Sequence, residues 1–359
     1  MQYNVQYIKH QQQLGKGETM AVQMRRLGLN GADIFPVGIG AMSFTNFYGE
    51  TNKEASYALL RMAMDKGVNH LDTADIYGMG QSESVIGAFI ADQGASARQF
   101  FRIATKAGID RAGNRPGAEK GSGFNNDPAY LRASLLASLD RLGVEQVDLF
   151  YVHRRQSDIP IEEVTGALAE LVKEGLTASI GFSEIAPTSL RRAEAVHPVA
   201  AVQSEYSLQT RGAELGLVSA TRDIGAAMVA FSPVGRGLLT DHPHSPERIA
   251  EMPFLAINPR FIGDNLARNI TATEPFRHLA KDVGVATSTL AVAWLLSRDD
   301  HVIPIPGTRS LDHFGELIAA AEMTLSDDIL ARIDQILPAG WCHGDRYTES
   351  QWKAVERFC

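Results

Sequence analysis

Four residues carry the chemistry this chain can be read to do: Asp72 and Tyr77 in HLDTADIYG, Lys106 in FFRIATKAG and His153 in VDLFYVHRR. A carboxylate, a phenol, an ammonium and an imidazole make a proton-transfer set if they meet in one place. Tyr77 is the candidate general acid. A free phenol titrates near pH ~10, too high for easy donation at neutral pH. A neighbouring Lys106 ammonium is expected to lower that value, with Asp72 pairing the lysine and His153 orienting the same substrate oxygen. Taken singly, each residue has a plain structural reading, such as a surface turn with a core tyrosine or a hydrogen-bonded histidine at a strand end. The coincidence of all four favours chemistry.

What must position them is a set of strands. Each residue follows an apolar run, a helical pattern separates each run from the next, and the four are spread over about 80 positions. Parallel neighbouring strands bring their C-terminal ends side by side and close that distance. The runs are continuous rather than alternating, as in parallel strands buried on both faces. Residues 22–36 read as a hairpin, with Val22, Met24 and Leu27 before the turn signal Asn30-Gly31. A strand-like PVGIGAM follows. A helix over 54–66 then carries Ala55, Leu59, Met62 and Ala63 on one face and closes at Gly67. Further strands are expected at Asn69–Asp72, Phe100–Lys106, Val147–Val152, 178–182, 200–204, 226–231 and in HVIPIPG, with a last helix over 311–321. The helix after Asn126-Asp127-Pro128 has a cap, an N1 proline and a leucine stripe at 131, 135, 139 and 142.

About eight strand–helix units over ~290 residues predict a (β/α)8 TIM barrel with an N-terminal β-hairpin and long C-terminal loops. Residues 1–20 read as a polar extension and 21–359 as one barrel domain that includes the tail 338–359. The glycine-rich segment 107–125 and the stretch 232–273 read as loops, the second long enough to be functional. The tail holds two tryptophans and a tyrosine, so it is expected to pack on the barrel and border the site.

The chain has 359 residues with a formal net charge of −8, which argues against a broad nucleic-acid surface. Two cysteines, Cys342 and Cys359, imply no disulfide framework and fit a reducing cytoplasm. No run approaches the roughly 18 apolar residues of a membrane helix. No metal-ligand spacing, GxSxG elbow or strand-linked GxGxxG is present. Arg154 lies beside the expected pocket and would suit an acidic substrate. Phe47 and Tyr48 lie in the loop after the first barrel strand, where substrate should enter.

DTADIYG, the lysine of IATKAG and the histidine of DLFYVHR together resemble the catalytic tetrad of the aldo-keto reductases, and the resemblance runs from about residue 22 to 336. It implies Tyr77 as proton donor, supported by Asp72, Lys106 and His153. It further implies that Ser183 and Glu184 of GFSE and Gln203 of AVQSEYS hold a nicotinamide carboxamide. GFSE is similar to the branch with GxSE where many members have GxSN. In AFSPVGRGLLT the resemblance implies Phe231 stacked on nicotinamide, with Ser232, Val234, Gly235 and Arg236 around the pyrophosphate. In the loop opened by IPGTR it puts Gly307, Thr308, Arg309 and His313 near an adenosine 2′-phosphate and Glu316 near adenine. Leu317 departs from the asparagine common there.

These features predict a cytoplasmic oxidoreductase that reduces an aldehyde or ketone reversibly to an alcohol, with NADP(H) favoured and NAD(H) as the alternative. The expected partner is a small-molecule carbonyl or alcohol, with no nucleic acid, membrane or metal. Two rival readings are a redox-sensing or regulatory subunit on the same barrel and a barrel lyase or isomerase using Lys106 as a Schiff base. Sequence leaves substrate and oligomeric state open.

Overall fold

A computed structural model describes residues 22–110 and 123–357. The expected extension at 1–20, part of the glycine-rich segment and Cys359 lie outside the described residues.

Eight parallel strands form the barrel wall in chain order: β3 (Ile39–Gly40), β4 (His70–Asp72), β5 (Arg102–Ala107), β8 (Leu149–Val152), β9 (Ile180–Ser183), β10 (Ala201–Glu205), β11 (Ala227–Phe231) and β12 (Val302–Pro304). The seam between the last strand and the first is made of one-way hydrogen bonds. Gly38 N donates to Pro304 O and Gly40 N to Pro306 O, both at 2.9 Å. The two prolines accept but have no N–H to return. Gly40 permits this approach, since a Cβ there would sit 2.7 Å from Ile305 O.

Period-2 alternation divides the strand side chains between two cores. Ala104, Leu149, Tyr151, Ala201, Ala227, Val229 and Ile303 fill the barrel interior. Their alternates Ile103, Phe150, Val152, Phe182, Val202, Met228 and Val302 pack outward against the helices. The hairpin of β1 (Arg25–Arg26) and β2 (Asp33–Ile34) joins the interior cluster through Leu27 and Ile34. The paired residues lie nearer the turn than Val22 and Met24, and Met24 is exposed.

Local signals set the helices. Asn52 accepts from Ala55 N at 2.8 Å to open Lys53–Lys66, and Gly67 ends it in the left-handed region. Asp127 caps Pro128–Leu142 through Ala129 N and Tyr130 N, and the leucine stripe is buried. Such a cap contributes about 1 kcal/mol.

Several expectations need correction. The strand in PVGIGAM shrinks to Ile39–Gly40, because Ala41–Phe44 turns into a 3-10 helix. Phe100 ends a short helix, Ala95–Phe100, instead of starting a strand. The segment 107–125 contains a small hairpin of β6 (Ile109–Asp110) and β7 (Gly123–Phe124). The stretch 232–273, read as irregular, contains helices Pro246–Ala250 and Gly263–Ala272. These helices are short, and their apolar faces feed a separate small core of Leu238, Ile249, Met252, Leu255, Phe261 and Leu266, so no long stripe marks them in the sequence. The tail packs on the barrel: Trp341 Nε1 donates to Leu208 O at 2.8 Å, and Arg346 and Tyr347 are buried. Among the described residues no single helix is long and apolar enough to cross a membrane.

Candidate active site

Strand register builds the site. Asp72 pairs with Ala104, which puts Lys106 two residues further toward the C-terminal mouth and on the same inward face. Lys106 reaches back to form an ion pair with Asp72 and donates to Thr73 O at 2.7 Å. Both side chains are shut off from solvent, at 0% and 1% exposure, so the pair sits in a low-dielectric interior and each charge depends on the other. Burial pushes the Lys106 ammonium down and Asp72 pushes it back up. Gln203 Nε2 donates to the other Asp72 oxygen at 2.7 Å.

The turn after β4 is fixed on β5: Thr73 N donates to Ala104 O and Asp75 N to Lys106 O. This places the half-buried Tyr77 with its ring centroid 5.3 Å from Lys106 Nζ. The His153 ring meets Tyr77 edge-on, at 5.8 Å between centroids and 81°. The four predicted residues therefore converge, and Asp72, Tyr77 and His153 line one cleft at the C-terminal mouth. His153 sits one position past β8, and its Nδ1 has no partner among the described residues. Burial, then Arg154 and Lys106, hold its imidazole well below the ordinary histidine value, so it is neutral at pH 7.

One electrostatic expectation fails. The Tyr77 phenol is not lowered overall. Burial first, then Asp72, push it above the ordinary value, with Arg154 pulling the other way. Lys106 is already paired with Asp72, so its charge is largely cancelled at the tyrosine. The arrangement thus keeps Tyr77 protonated, a loaded acid beside a neutral imidazole and a buried ammonium.

The remaining predicted residues divide. Ser183, Gln203, Phe231, Ser232, Val234 and Arg236 line the same cleft. So do Gly307, Thr308, Arg309, His313 and Glu316 around the loop after β12, together with Phe47, Tyr48 and Arg154. Gly235 lies buried beneath the turn, and Glu184 points away from the cleft into a buried ion pair with Arg346. Arg236 is not free at the surface. Its Nη2 meets Glu205 at 3.1 Å, its Nη1 donates to Tyr48 Oη at 3.2 Å, and its guanidinium stacks 4.7 Å from the Phe254 ring. Arg154 Nη1 donates to Ser183 Oγ at 3.0 Å. Leu317 is buried in the core, which accounts for an apolar residue there. Ser288 Oγ donates to Glu316 at 3.2 Å.

Sequence reasoning missed Glu205, Arg248, Phe254, Arg346 and Tyr347, all of which build the cleft walls or hold their residues. Glu205 had a signal, two residues after Gln203 at the same strand end. The others lie in loop and tail, where only the aromatic content pointed to them. Arg248 and Arg309 each donate to Tyr48 O at 3.0 Å. Gly49, at φ 112°, makes room for both, since a Cβ there would lie 2.4 Å from Arg248 Nη2.

Comparison with known proteins agrees with this geometry. The sequence model described as the Aldo/keto reductase family matches residues 36–338. The chain is 36% identical over 327 residues to "Probable aldo-keto reductase 1" of Glycine max, covering 91% of this chain and 92% of that protein. It is 34% identical over 333 residues to "Aldo-keto reductase yakc [NADP(+)]" of Schizosaccharomyces pombe, covering 91% and 95%. The glycerol dehydrogenase AKR11B4 of Gluconobacter oxydans superposes with a TM-score of 0.76 at 26% identity, covering 89% of this chain and 96% of that one. The chain belongs to the aldo/keto reductase family and is an oxidoreductase of carbonyl compounds.

Proposed function

We propose that this protein reversibly reduces an aldehyde or ketone to an alcohol with NADP(H), and that Tyr77 is the proton donor. The observation that carries this reading is the convergence of Tyr77 with His153 and the buried Lys106–Asp72 pair at the cleft wall.

The cleft fits a dinucleotide. This open cleft has a volume of about 3500 Å³, beyond the ~1,000 Å³ at the upper end for a single small ligand. At the end opposite Tyr77, Arg309 has no carboxylate partner among the described residues, and Arg248 lies beside it. Arg248 is paired with Glu251, but the Arg309 guanidinium without a carboxylate partner suits a phosphate better than a neutral ribose hydroxyl, which supports NADP(H) over NAD(H). Thr308, Gly307 and His313 share that end, with Glu316 on the neighbouring helix. Phe231, Ser183 and Gln203 lie near the acid–base residues, where they would hold a nicotinamide, and Ser232, Val234, Gly235 and Arg236 form the turn between the two ends. Arg236, fixed by Glu205, acts there mainly as a wall.

A bound nicotinamide supplies the hydride. The chain's own residues manage the oxygen. As negative charge grows on the carbonyl oxygen, Tyr77 Oη gives it a proton. His153, held neutral, donates a ring N–H to the same oxygen and orients it. Asp72 with Gln203 holds the Lys106 ammonium in place, 5.3 Å from the Tyr77 ring. In alcohol oxidation the same groups take the proton back. Phe47, Tyr48 and Arg154 line the approach for substrate. We read residues 21–359 as one domain and, from its cysteine usage, place the protein in a reducing cytoplasm.

The test is Tyr77→Phe. Carbonyl reduction should fall by at least ~10³-fold while NADPH still binds, because the substitution removes only the proton. Carbonyl reduction at the parent rate would sink the assignment.

A further inference from the structure

Glu184 is a buried carboxylate that the acid–base and hydride chemistry does not use. It follows Ser183, which lines the cleft, yet Glu184 is not among the residues lining it and is only 1% exposed. Its backbone adopts φ 59°, a left-handed conformation unfavourable for a side chain of this kind. The carboxylate is held by the neighbouring strand end and the tail and does not line the cleft. One oxygen accepts from Ser204 Oγ and Glu205 N, both at 2.9 Å. The other pairs with Arg346 of the tail, itself buried.

The same short segment grips the tail a second time, ten residues further on. Glu184 O accepts from Glu356 N at 2.9 Å. Glu356 in turn accepts from Ala186 N at 2.8 Å and pairs with Arg155 at 3.2 Å. Between these two grips, Tyr347 lines the cleft, and Trp352 packs on it at 5.6 Å. The Arg346 guanidinium lies over both rings, at 4.7 and 4.9 Å.

We propose that Glu184 is a positioning residue that latches the C-terminal tail, through Arg346, so that Tyr347 forms a wall of the substrate compartment. It acts on substrate fit through the tail and is not a ligand of the nicotinamide. Removing either partner leaves a buried charge without its counter-ion, so the two substitutions should have the same consequence. The proposal rests on the reductase reading only for its kinetic arm.

The experiment compares Glu184→Gln, Arg346→Met and the exchange Glu184→Arg/Arg346→Glu with the parent, full chain in each case. Chymotrypsin cleavage at Tyr347 and Trp352 reads the latch directly and needs no activity. Both single variants should be cut about tenfold faster in the tail, and the exchange should restore part of the protection. KM for an aryl ketone should rise about fivefold in Arg346→Met while the Kd for NADPH stays within about twofold. If Glu184→Gln does not fold, Arg346→Met and the exchange carry the test. The proposal is overturned if tail cleavage is unchanged in the variants. It is also overturned if Glu184→Gln weakens NADPH binding about tenfold and Arg346→Met does not. A parent protein that fails to reduce carbonyls would remove the functional reading and leave the protease result standing.

Discussion

The two sides of the cleft are built by different rules. On the tetrad side, Asp72, Lys106 and His153 stand at or just past the ends of three adjacent strands, and their placement follows from ladder register. Lys106 meets Asp72 and Thr73 at the end of the neighbouring strand, and Gln203 reaches Asp72 from across the barrel. On the opposite side, walls are held by pairs in which at least one partner comes from a loop or the tail. Arg346 joins Glu184, Arg236 joins Glu205 and Tyr48, and Arg309 joins Tyr48 and Glu50. The first side is a scaffold with little freedom, suited to acid–base chemistry that needs fixed geometry. The second is an assembly of loops that can change contacts without disturbing the strands, which suits recognition.

The contrast can be broken from its strongest point downward. Tyr77→Phe, described above, should remove nearly all reduction and little binding. Lys106→Met should cost about 3–5 kcal/mol of stability, because it leaves Asp72 buried and unpaired. Urea denaturation reads this, and adding Asp72→Asn should recover part of the loss. A fully additive double variant would show that the two residues do not act as a pair.

On the recognition side, Arg309→Ala should raise the Kd for NADPH about tenfold and move that for NADH by less than about twofold, equivalent to ~1.4 kcal/mol lost on one ligand only. Fluorescence titration with both nucleotides checks it, and equal weakening of both would place the phosphate contact elsewhere.

Two pH effects are smaller. Tyr77 is held above the ordinary phenol value, so its acid form persists through the physiological range. The tyrosine should therefore impose no loss of reduction as pH rises to about 9, below the ordinary phenol value near ~10. A rate profile falling with an apparent pKa near neutrality, and shifted by Arg154→Ala, would contradict this. Beneath the site, burial and then Glu83 push the Asp75 carboxyl up to about 7. A raised carboxyl keeps its proton in the folded protein where the unfolded chain has lost it, so stability falls as pH rises from about 4 toward 7. Asp75→Asn removes that penalty. It should raise Tm at pH 8 and leave it nearly unchanged at pH 4 in thermal melts.

Much of the scaffold was legible because its signals are local. Apolar runs separated by helical stripes, Asp127 before Pro128, and Gly67 after its helix each dictate an element within a few residues, and the parallel barrel follows from their alternation. The convergence of Asp72, Tyr77, Lys106 and His153 followed from the same logic, since strand ends in a parallel sheet share one rim. The helix Gly263–Ala272 was illegible because its apolar face is short and serves a private core. The direction in which the Tyr77 phenol shifts was not legible, because the effect of a lysine depends on what else it touches.

The sequence by itself determined the barrel and the strand-end positions of the acid–base residues. These rest on periodicity and on interactions within a strand–helix unit. Only the tertiary structure decided that Lys106 is spent on Asp72, that Arg236 is bound to Glu205, and that Glu184 turns outward to Arg346. Those outcomes are choices of partner among charges that meet only after the chain has folded. Burial sets the strength of each pairing, and no spacing along the chain encodes it.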